Sequence, residues 1–152
     1  MSATILLVED SPDDVVFLRR ALAKAGWAPA LHVVTDGQQA IDYLRGAAAF
    51  SERRAHPLPQ LILLDLKLPL VSGFEVLRWI RTQTELTGVI VVVLTSSDHP
   101  SDVRESYALG ANSYLSKPSN PSDLTMLMRD VGNRWLPPDG AAPTAQPGSV
   151  NL

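Results

Sequence analysis

The sequence predicts an α/β domain with a doubly wound, five-stranded parallel sheet, and three observations support this prediction. Apolar runs rich in Ile, Leu and Val recur along the chain without the polar alternation of a sheet that has one solvated face. Each run is followed by signals that begin a helix, so strands and helices alternate. The chain of 152 residues is 45% hydrophobic, which is enough for one ordinary core and leaves little length for a second domain.

The apolar runs are the predicted strands. They cover residues 4–8, 30–34, 60–64, 89–94 and 113–115. The segments 61–64 and 89–94 contain only aliphatic residues, which is typical of strands covered by helices on both faces. Such strand and helix units wind with a right-handed crossover, and the ligand site of the resulting sheet lies at the carboxyl ends of its strands.

Each predicted strand is followed by a predicted helix start. Three starts combine a possible cap, a proline and an acidic first turn, and the possible caps are Ser11, His99 and Asn120. The other two starts have capping-box spacing, formed by Asp36 with Gln39 and by Ser72 with Glu75. The glycines expected to end the first four helices are Gly26, Gly46, Gly88 and Gly110.

Composition narrows the class of protein. A net charge of −3 and an isoelectric point near 5.5 argue against a nucleic-acid partner, because no basic stripe is present to neutralise phosphates. The sequence has no cysteine, which excludes disulfides and thiolate metal sites. No secretory signal precedes the first strand, and Asp65 and Lys67 interrupt the longest apolar run. We therefore expect a cytoplasmic protein that binds neither nucleic acid nor a membrane.

Two segments lie outside the strand and helix units. The connection at residues 47–59 is long and is expected to form an exposed loop or a helix extension. After Leu136 the composition becomes rich in Pro, Ala and Gly, which cannot bury enough surface to fold. We therefore predict one domain at residues 1–136 and a disordered tail at residues 137–152, so that any signal leaves through a protein surface.

Polar residues stand at the carboxyl ends of four predicted strands. These are Glu9 and Asp10 after the first, Asp65 after the third, Thr95 after the fourth and Lys117 after the fifth. Parallel strands bring their carboxyl ends to one edge, so three carboxylates, a hydroxyl and an ammonium are expected to share one site. That set suits a divalent cation with a phosphoryl group, because the cation offsets the repulsion between the acids and the lysine faces the phosphoryl oxygens.

Each of these residues also has a structural interpretation. Acids before a helix often act as caps, but Ser11, Asp13 and Asp14 already fill that role here. Asp65 alone could be a helix cap or a loop acid, but Ser72 suits the cap role better. Threonine is common in strands, and a lysine is usually a solvated surface charge. Lys117 precedes Pro118, where an unusual geometry such as a cis bond would aim its side chain back toward the sheet edge.

The set of Glu9, Asp10, Asp65, Thr95 and Lys117 with Pro118, in this order and on these elements, resembles the receiver domain of bacterial two-component response regulators. The resemblance covers roughly residues 4–136 and implies a flavodoxin-like (βα)5 fold with strand order 2-1-3-4-5. It further implies that Asp65 is the phosphoacceptor, which takes its phosphoryl group from the phosphohistidine of a histidine kinase. Such a protein catalyses its own phosphorylation and dephosphorylation only, and is not otherwise an enzyme.

The resemblance also assigns roles around Asp65. Asp10 and Asp65 would ligate Mg²⁺ directly, Glu9 would act through water, and Lys67 would contribute its backbone carbonyl.

Thr95 and Lys117 would bind the phosphoryl oxygens, and Tyr114 matches the aromatic switch position of the family. Thr95 and Tyr114 would form the switch, with Tyr114 filling the space that Thr95 vacates when it moves toward the phosphoryl group. An ordinary half-exposed aromatic is the alternative for Tyr114.

Further similarity points to one subgroup. The connection at 47–59 and the segments 66–69, 110–114 and 133–137 resemble single-domain regulators paired with bacterial phytochrome kinases. A bacteriophytochrome is therefore a possible kinase partner. The subgroup also implies a homodimer through the fourth helix, fifth strand and fifth helix. Apolar residues near the chain's last helical segment either form that surface or cover the sheet, and they are Met126, Leu127, Val131 and Trp135.

Other functions compete with phosphoryl signalling. A pseudo-receiver would keep the fold and only bind partners, and a phosphate sink or relay intermediate would pass the phosphoryl group on. A hydrolase with an aspartyl nucleophile would need a second acid two positions after Asp65, where the chain has Lys67. A flavodoxin-like electron carrier would need a phosphate-cradling loop after the first strand, where Glu9 and Asp10 would repel the phosphate.

Overall fold

The computed structural model describes residues 3–136, and the predicted tail at 137–152 lies outside the described residues. The strands are β1 (Thr4–Val8), β2 (Ala30–Val34), β3 (Leu61–Leu64), β4 (Ile90–Thr95) and β5 (Ser113–Ser116). The α-helices are α1 (Pro12–Lys24), α2 (Gly37–Arg45), α3 (Gly73–Thr82), α4 (Pro100–Ala108) and α5 (Pro121–Trp135). Short 3₁₀ helices span Ala48–Phe50 and Thr84–Leu86.

All strand pairs are parallel, and the strand order is β2-β1-β3-β4-β5. The predicted α/β class and the order 2-1-3-4-5 are confirmed. In the central pair, Ile5 lies opposite Leu61 and Val8 opposite Leu64, so β1 and β3 end at the same level. This register brings the residues that follow both strands to one edge of the sheet.

Helices cover both faces of the sheet, which explains why the central strands are aliphatic on both sides. On one face, α1 and α5 bury Leu18, Leu22 and Met128 against the sheet. On the other, α2 and α3 bury Tyr43, Leu77 and other residues. Among the described residues, no helix is both long and apolar enough to cross a membrane.

Four predicted helix starts carry the expected side-chain caps. The capping side chains are Ser11, Asp36, Ser72 and Asn120, and the second capping-box bond of Ser72 with Glu75 is present. The His99 side chain makes no capping hydrogen bond, so that expectation is wrong.

Three of the predicted helix-ending glycines have positive φ and lie just after a helix, namely Gly26, Gly46 and Gly110. The expectation for Gly88 is wrong, because α3 already ends at Thr82 and Gln83 is extended. The following 3₁₀ turn buries Leu86 against the core. The burial of this side chain favours the end of α3 before Gly88.

The connection at 47–59 is largely exposed but fastened to α2. Arg53 Nη1 donates to the carbonyl of Tyr43 at 2.7 Å, and Nη2 donates to the carbonyl of Leu44 at 2.6 Å. These bonds add to the capping of the last turn of α2, where the Tyr43 carbonyl also accepts from the Gly46 N–H at 3.1 Å. The Tyr43 hydroxyl donates to the carbonyl of Pro57 at 2.8 Å, so the connection is an anchored loop that contains one 3₁₀ turn.

Candidate functional site

The predicted acidic residues meet at the carboxyl edge of the sheet. One carboxylate oxygen each from Glu9, Asp10 and Asp65 can be chosen so that all three lie within 4.8 Å of one another. Glu9 and Asp65 are buried, with 2% and 8% of their surface exposed, whereas Asp10 is exposed. The site therefore has a closed side at the sheet and an open side at Asp10.

Lys117 joins the carboxylates into one network. Its Nζ lies 2.6 Å from Glu9 Oε1, 3.0 Å from Asp65 Oδ2 and 2.8 Å from Asp14 Oδ2. An ammonium group has three N–H donors, so these three acceptors use all of them. Only 15% of the Lys117 side chain is exposed, which strengthens each of these charge-assisted bonds.

The structure gives Asp14 a second role besides the helix start to which the sequence assigned it. The backbone N–H of Asp14 donates to Ser11 Oγ, so the residue does take part in the helix start. Its carboxylate, however, belongs to the site through Lys117, whereas the neighbouring Asp13 is exposed. An acid in the first turn of a helix can stabilise the helix start or take part in a neighbouring site. The distance to Lys117 shows that Asp14 does the latter.

The geometry of Lys117 does not depend on a cis bond. No peptide bond within residues 3–136 is cis, so the cis geometry considered for the bond before Pro118 is wrong. The Lys117 backbone N–H instead donates to the carbonyl of Thr95 at 2.8 Å. This bond extends the β4–β5 pairing by one residue and holds Lys117 at the sheet edge.

Burial and hydrogen bonding shift the pKa of Lys117 in opposite directions, and they do the same to the pKa of Glu9. Burial alone would lower the pKa of Lys117, but its hydrogen bonds to Asp14 and Glu9 and the charge of Asp65 raise this pKa above its usual value. Burial raises the pKa of Glu9, and the bonds to Lys117 and to the Ser11 backbone only partly offset this effect. The pKa of Glu9 therefore stays above its usual value despite the contact with Lys117.

Asp65 is held from both of its oxygens. Oδ1 accepts hydrogen bonds from the backbone N–H of Leu66 at 2.7 Å and of Lys67 at 3.4 Å, while Oδ2 faces Lys117. A Cβ built on Gly73 would lie 2.2 Å from the carbonyl oxygen of Asp65, so only glycine fits where α3 begins. Lys67, the expected carbonyl ligand, stands two positions after Asp65 and is exposed.

Thr95 and Tyr114 meet at the loop between β4 and α4. Thr95 is fully buried, and its Oγ1 accepts from the Ser97 N–H at 3.5 Å. The Tyr114 hydroxyl donates to the Ser97 carbonyl at 2.7 Å. Ser97 Oγ donates to Asp102 Oδ2 at 2.5 Å, so Ser97 connects α4 to both residues of the expected switch. No sequence pattern singles out Ser97.

The donor set fits a small divalent cation. Glu9, Asp10 and Asp65 offer only oxygen ligands, which hard cations such as Mg²⁺ prefer. The site holds the four carboxylates of Glu9, Asp10, Asp14 and Asp65 but only the one ammonium of Lys117, so negative charge is in excess. A cation at the three grouped carboxylates would reduce their mutual repulsion.

Residues 5–129 match the family model of the response regulator receiver domain. The probable methanogenesis regulatory protein FilR2 of Methanothrix harundinacea is 39% identical over 132 residues, which are 87% of this chain and 83% of that protein. Response regulator Rcp1 of Synechocystis sp. is 38% identical over 132 residues, which are 87% of this chain and 88% of that protein.

Solved structures give the same result. The phosphorylated cyanobacterial phytochrome response regulator RcpA matches with a TM-score of 0.83 at 34% identity, over 95% of this chain and 100% of that chain. The Mn(2+)-bound form of Rcp1 matches with a TM-score of 0.80 at 36% identity, over 94% of this chain and 99% of that chain. The resemblance found in the sequence is thus confirmed, and this chain belongs to the response regulator receiver domain family.

Proposed function

We propose that this protein is a response regulator that accepts a phosphoryl group on Asp65 from a histidine kinase, in a Mg²⁺-dependent reaction. The receiver domain is assigned to residues 1–136. The observation that carries the proposal is the position of Lys117, which reaches Asp65 and Glu9 together beside the grouped carboxylates. No second acid stands two positions after Asp65, which favours phosphoryl acceptance over a hydrolase.

The transfer forms one bond and breaks one bond. A carboxylate oxygen of Asp65 attacks the phosphorus of the phosphohistidine, the P–N bond breaks, and the imidazole nitrogen keeps the electron pair. The product is an acyl phosphate on Asp65. Catalysis of this reaction requires mainly positioning and charge neutralisation. The N–H groups of Leu66 and Lys67 fix Asp65 Oδ1, so the carboxylate is oriented before the donor arrives.

The side chains around Asp65 neutralise the charge of the incoming group. Lys117 donates to phosphoryl oxygens, and the Thr95 hydroxyl donates to another once the group is in place. Asp10, Asp65 and the Lys67 carbonyl would hold Mg²⁺, with Glu9 acting through water, and the bound cation would supply positive charge that offsets the carboxylates and the phosphoryl oxygens. The Mn(2+)-bound structure of the relative Rcp1 supports a divalent cation in this fold.

The conformational response involves Thr95 and Tyr114. Thr95 moves toward the phosphoryl group, and Tyr114 occupies the space that it leaves. Support comes from Ser97, because its N–H contacts Thr95 and its carbonyl accepts from Tyr114. A movement of Thr95 therefore disturbs the loop that holds the Tyr114 hydroxyl.

A bacteriophytochrome-type histidine kinase is the proposed donor, with the protein acting in the cytoplasm through protein contacts. The support is the similarity to RcpA, which is described as a cyanobacterial phytochrome response regulator, and to Rcp1. Purified kinases compared side by side test this assignment. The bacteriophytochrome-type kinase is expected to phosphorylate the chain fastest, and equal rates for an unrelated histidine kinase would contradict the pairing.

We also propose a homodimer through α4, β5 and α5. Val131 is buried, and Leu127 and Trp135 pack partly against the core, so most of the apolar residues considered for this surface cover the sheet. Met126 on α5 and Tyr107 on α4 stay exposed, at 60% and 49%.

Sedimentation with and without beryllofluoride tests the homodimer. Met126→Lys should weaken association, while Phe17→Lys on α1, where Phe17 is 47% exposed, should not. A monomer at high concentration in every condition would contradict the homodimer.

The experiment that tests phosphoryl acceptance uses acetyl phosphate as donor and intact mass as readout. One phosphoryl adduct is expected for the wild type with Mg²⁺, and none for Asp65→Asn or in chelator. If the folded protein binds Mg²⁺ and forms no adduct, the function is binding alone, as in a pseudo-receiver. An adduct that persists in Asp65→Asn would place the acceptor at another residue.

A further inference from the structure

Asp14 is a charged group of the site that the proposed function does not use. Its Oδ2 lies 2.8 Å from Lys117 Nζ, and its side chain is 34% exposed. It is separate from the three carboxylates grouped for a cation, which are Glu9, Asp10 and Asp65. Its contact within the site is therefore with the ammonium of Lys117.

The three acceptors of the Lys117 ammonium are not equivalent. Glu9 is nearly fully buried and also accepts from the Ser11 N–H at 3.1 Å, so it is fixed. Asp65 is the residue that would carry the phosphoryl group. Asp14 lies on the first turn of α1 with 34% of its side chain exposed, and it keeps the third N–H donor of Lys117 engaged. A phosphoryl oxygen that needs a second N–H of Lys117 must displace Asp14.

Electrostatic repulsion weakens phosphoryl binding in addition to the competition for Lys117. The Asp14 carboxylate and a phosphoryl group would both be anionic neighbours of one ammonium, so they repel each other through a partly desolvated site. Both effects weaken phosphoryl binding when Asp14 is ionised. Glu9 and Asp65 still hold Lys117 when Asp14 is neutralised, so the position of the lysine does not require this third contact.

We propose that Asp14 is a positioning residue that competes with the phosphoryl group for the Lys117 ammonium and so limits the affinity of the site for that group. This inference rests on the proposed function of Asp65 as phosphoacceptor. It gives the chain a means to restrict phosphoryl occupancy through a residue outside the cation-binding set. Asp14 does not touch the reacting atoms.

The test is the binding of beryllofluoride, a phosphoryl analogue, at saturating Mg²⁺, followed by ¹⁹F NMR. In Asp14→Asn the side-chain oxygen still accepts from Lys117 while the charge is lost. We expect beryllofluoride to bind this variant about tenfold more tightly than wild type, because a like charge has been removed within a few ångströms of the anion at a partly exposed position. Asp14→Glu keeps the charge and should bind at the wild-type level.

Asp13→Asn is the matched control. Asp13 lies in the same turn, carries the same charge and is exposed. Its replacement is expected to change affinity by less than about twofold, because it is a solvent-screened charge. Equal effects of the two asparagine variants, or weaker binding by Asp14→Asn, would overturn the proposal. Asp14→Ser provides a second neutral variant, and urea unfolding verifies that each protein is folded.

Beryllofluoride binding by the wild type distinguishes a failure of this inference from a failure of the proposed function. If wild type binds beryllofluoride with a requirement for Mg²⁺ and Asp65, and Asp14→Asn behaves like Asp13→Asn, only the role of Asp14 is overturned. If wild type is folded and does not bind the analogue, both are overturned. Tighter binding confined to the neutral variants at position 14 supports both.

Discussion

At the scale of single residues, the site balances one ammonium against several carboxylates in a partly buried space. Lys117 contacts Glu9, Asp14 and Asp65, and Glu9 has only 2% of its surface exposed. Removing the partner of a buried charge lowers the free energy of unfolding far more than an exposed ion pair raises it. The stability of the metal-free protein should therefore depend strongly on this lysine.

Lys117→Met is expected to lower the free energy of unfolding in chelator by about 3–5 kcal/mol, because it leaves buried carboxylates unpaired. Lys24→Met, at the exposed last turn of α1, should cost no more than about 1 kcal/mol. Urea unfolding at neutral pH measures both. A Lys117 effect as small as that of Lys24 would show that water, and not the lysine, compensates the acids.

The sign of the pH dependence follows from the raised pKa of Lys117 in the folded state. Its usual value is 10.5, so the folded protein keeps the ammonium proton at a pH where the unfolded chain loses it. The contribution of this lysine is fully present below pH 10.5 and is lost as the pH rises through the folded value. Neutral pH therefore measures the whole effect.

The position of five residues at one edge of the sheet could be predicted because each stands at or just after the carboxyl end of a strand, and these are Glu9, Asp10, Asp65, Thr95 and Lys117. Asp14 could not be assigned in this way, since the helix dipole alone explains an acid in a first turn. Ser97 was also missed, because a serine in a loop has no distinctive pattern. The role of Asp14 depends on its distance to Lys117, and that of Ser97 on its distance to Tyr114. Only the fold determines these distances.

At the scale of elements, close packing fixes where α5 lies beside the start of β2. A Cβ built on Gly132 of α5 would lie 2.0 Å from Cε2 and Nε1 of Trp27. The buried Trp27 Nε1 finds no hydrogen-bond partner within residues 3–136, so the indole is held by packing there. Glycine is normally a poor residue in a helix interior, and here it provides the space for an aromatic ring.

Gly132→Ala is expected to destabilise the protein by about 1–3 kcal/mol or more, because overpacking against Trp27 outweighs the gain in helix propensity. Gly88→Ala is the control, since a Cβ there would meet nothing within 4 Å and φ is not positive. Chemical unfolding gives the energies, and Trp fluorescence reports the displaced indole. A Gly132→Ala protein as stable as Gly88→Ala would contradict this packing account.

Element boundaries were predicted best where a local interaction defines them. Side chains cap α1, α2, α3 and α5 as their spacing predicts. The end of α3 was missed because it depends on burial of Leu86, a tertiary effect that overrides the glycine signal at Gly88. The anchoring of the loop at 47–59 by Arg53 was also outside the reach of sequence patterns, because it requires the position of the α2 carbonyls.

At the scale of the whole molecule, the sheet concentrates charge at one edge. The order β2-β1-β3-β4-β5 places β1 between β2 and β3, so the acids after β1 and β3 lie side by side. The alternation of strands and helices predicted that these acids meet at one edge of the sheet, whereas the strand order was predicted from the resemblance to receiver domains. Folding therefore brings mutually repelling carboxylates together, and their repulsion opposes the folded state, so a cation bound among them would relieve it.

Mg²⁺ should consequently stabilise the folded chain by mass action. Above the dissociation constant, each tenfold increase in free Mg²⁺ is expected to add about 1.4 kcal/mol to the free energy of unfolding. Asp65→Asn removes one grouped carboxylate and should shift this rise to higher Mg²⁺ concentration. Urea unfolding over a Mg²⁺ series, with ionic strength held constant by KCl, separates specific binding from screening. Unfolding curves that coincide in chelator and in Mg²⁺ would contradict a cation site at these three carboxylates, because a cation that binds only the folded state must raise its stability.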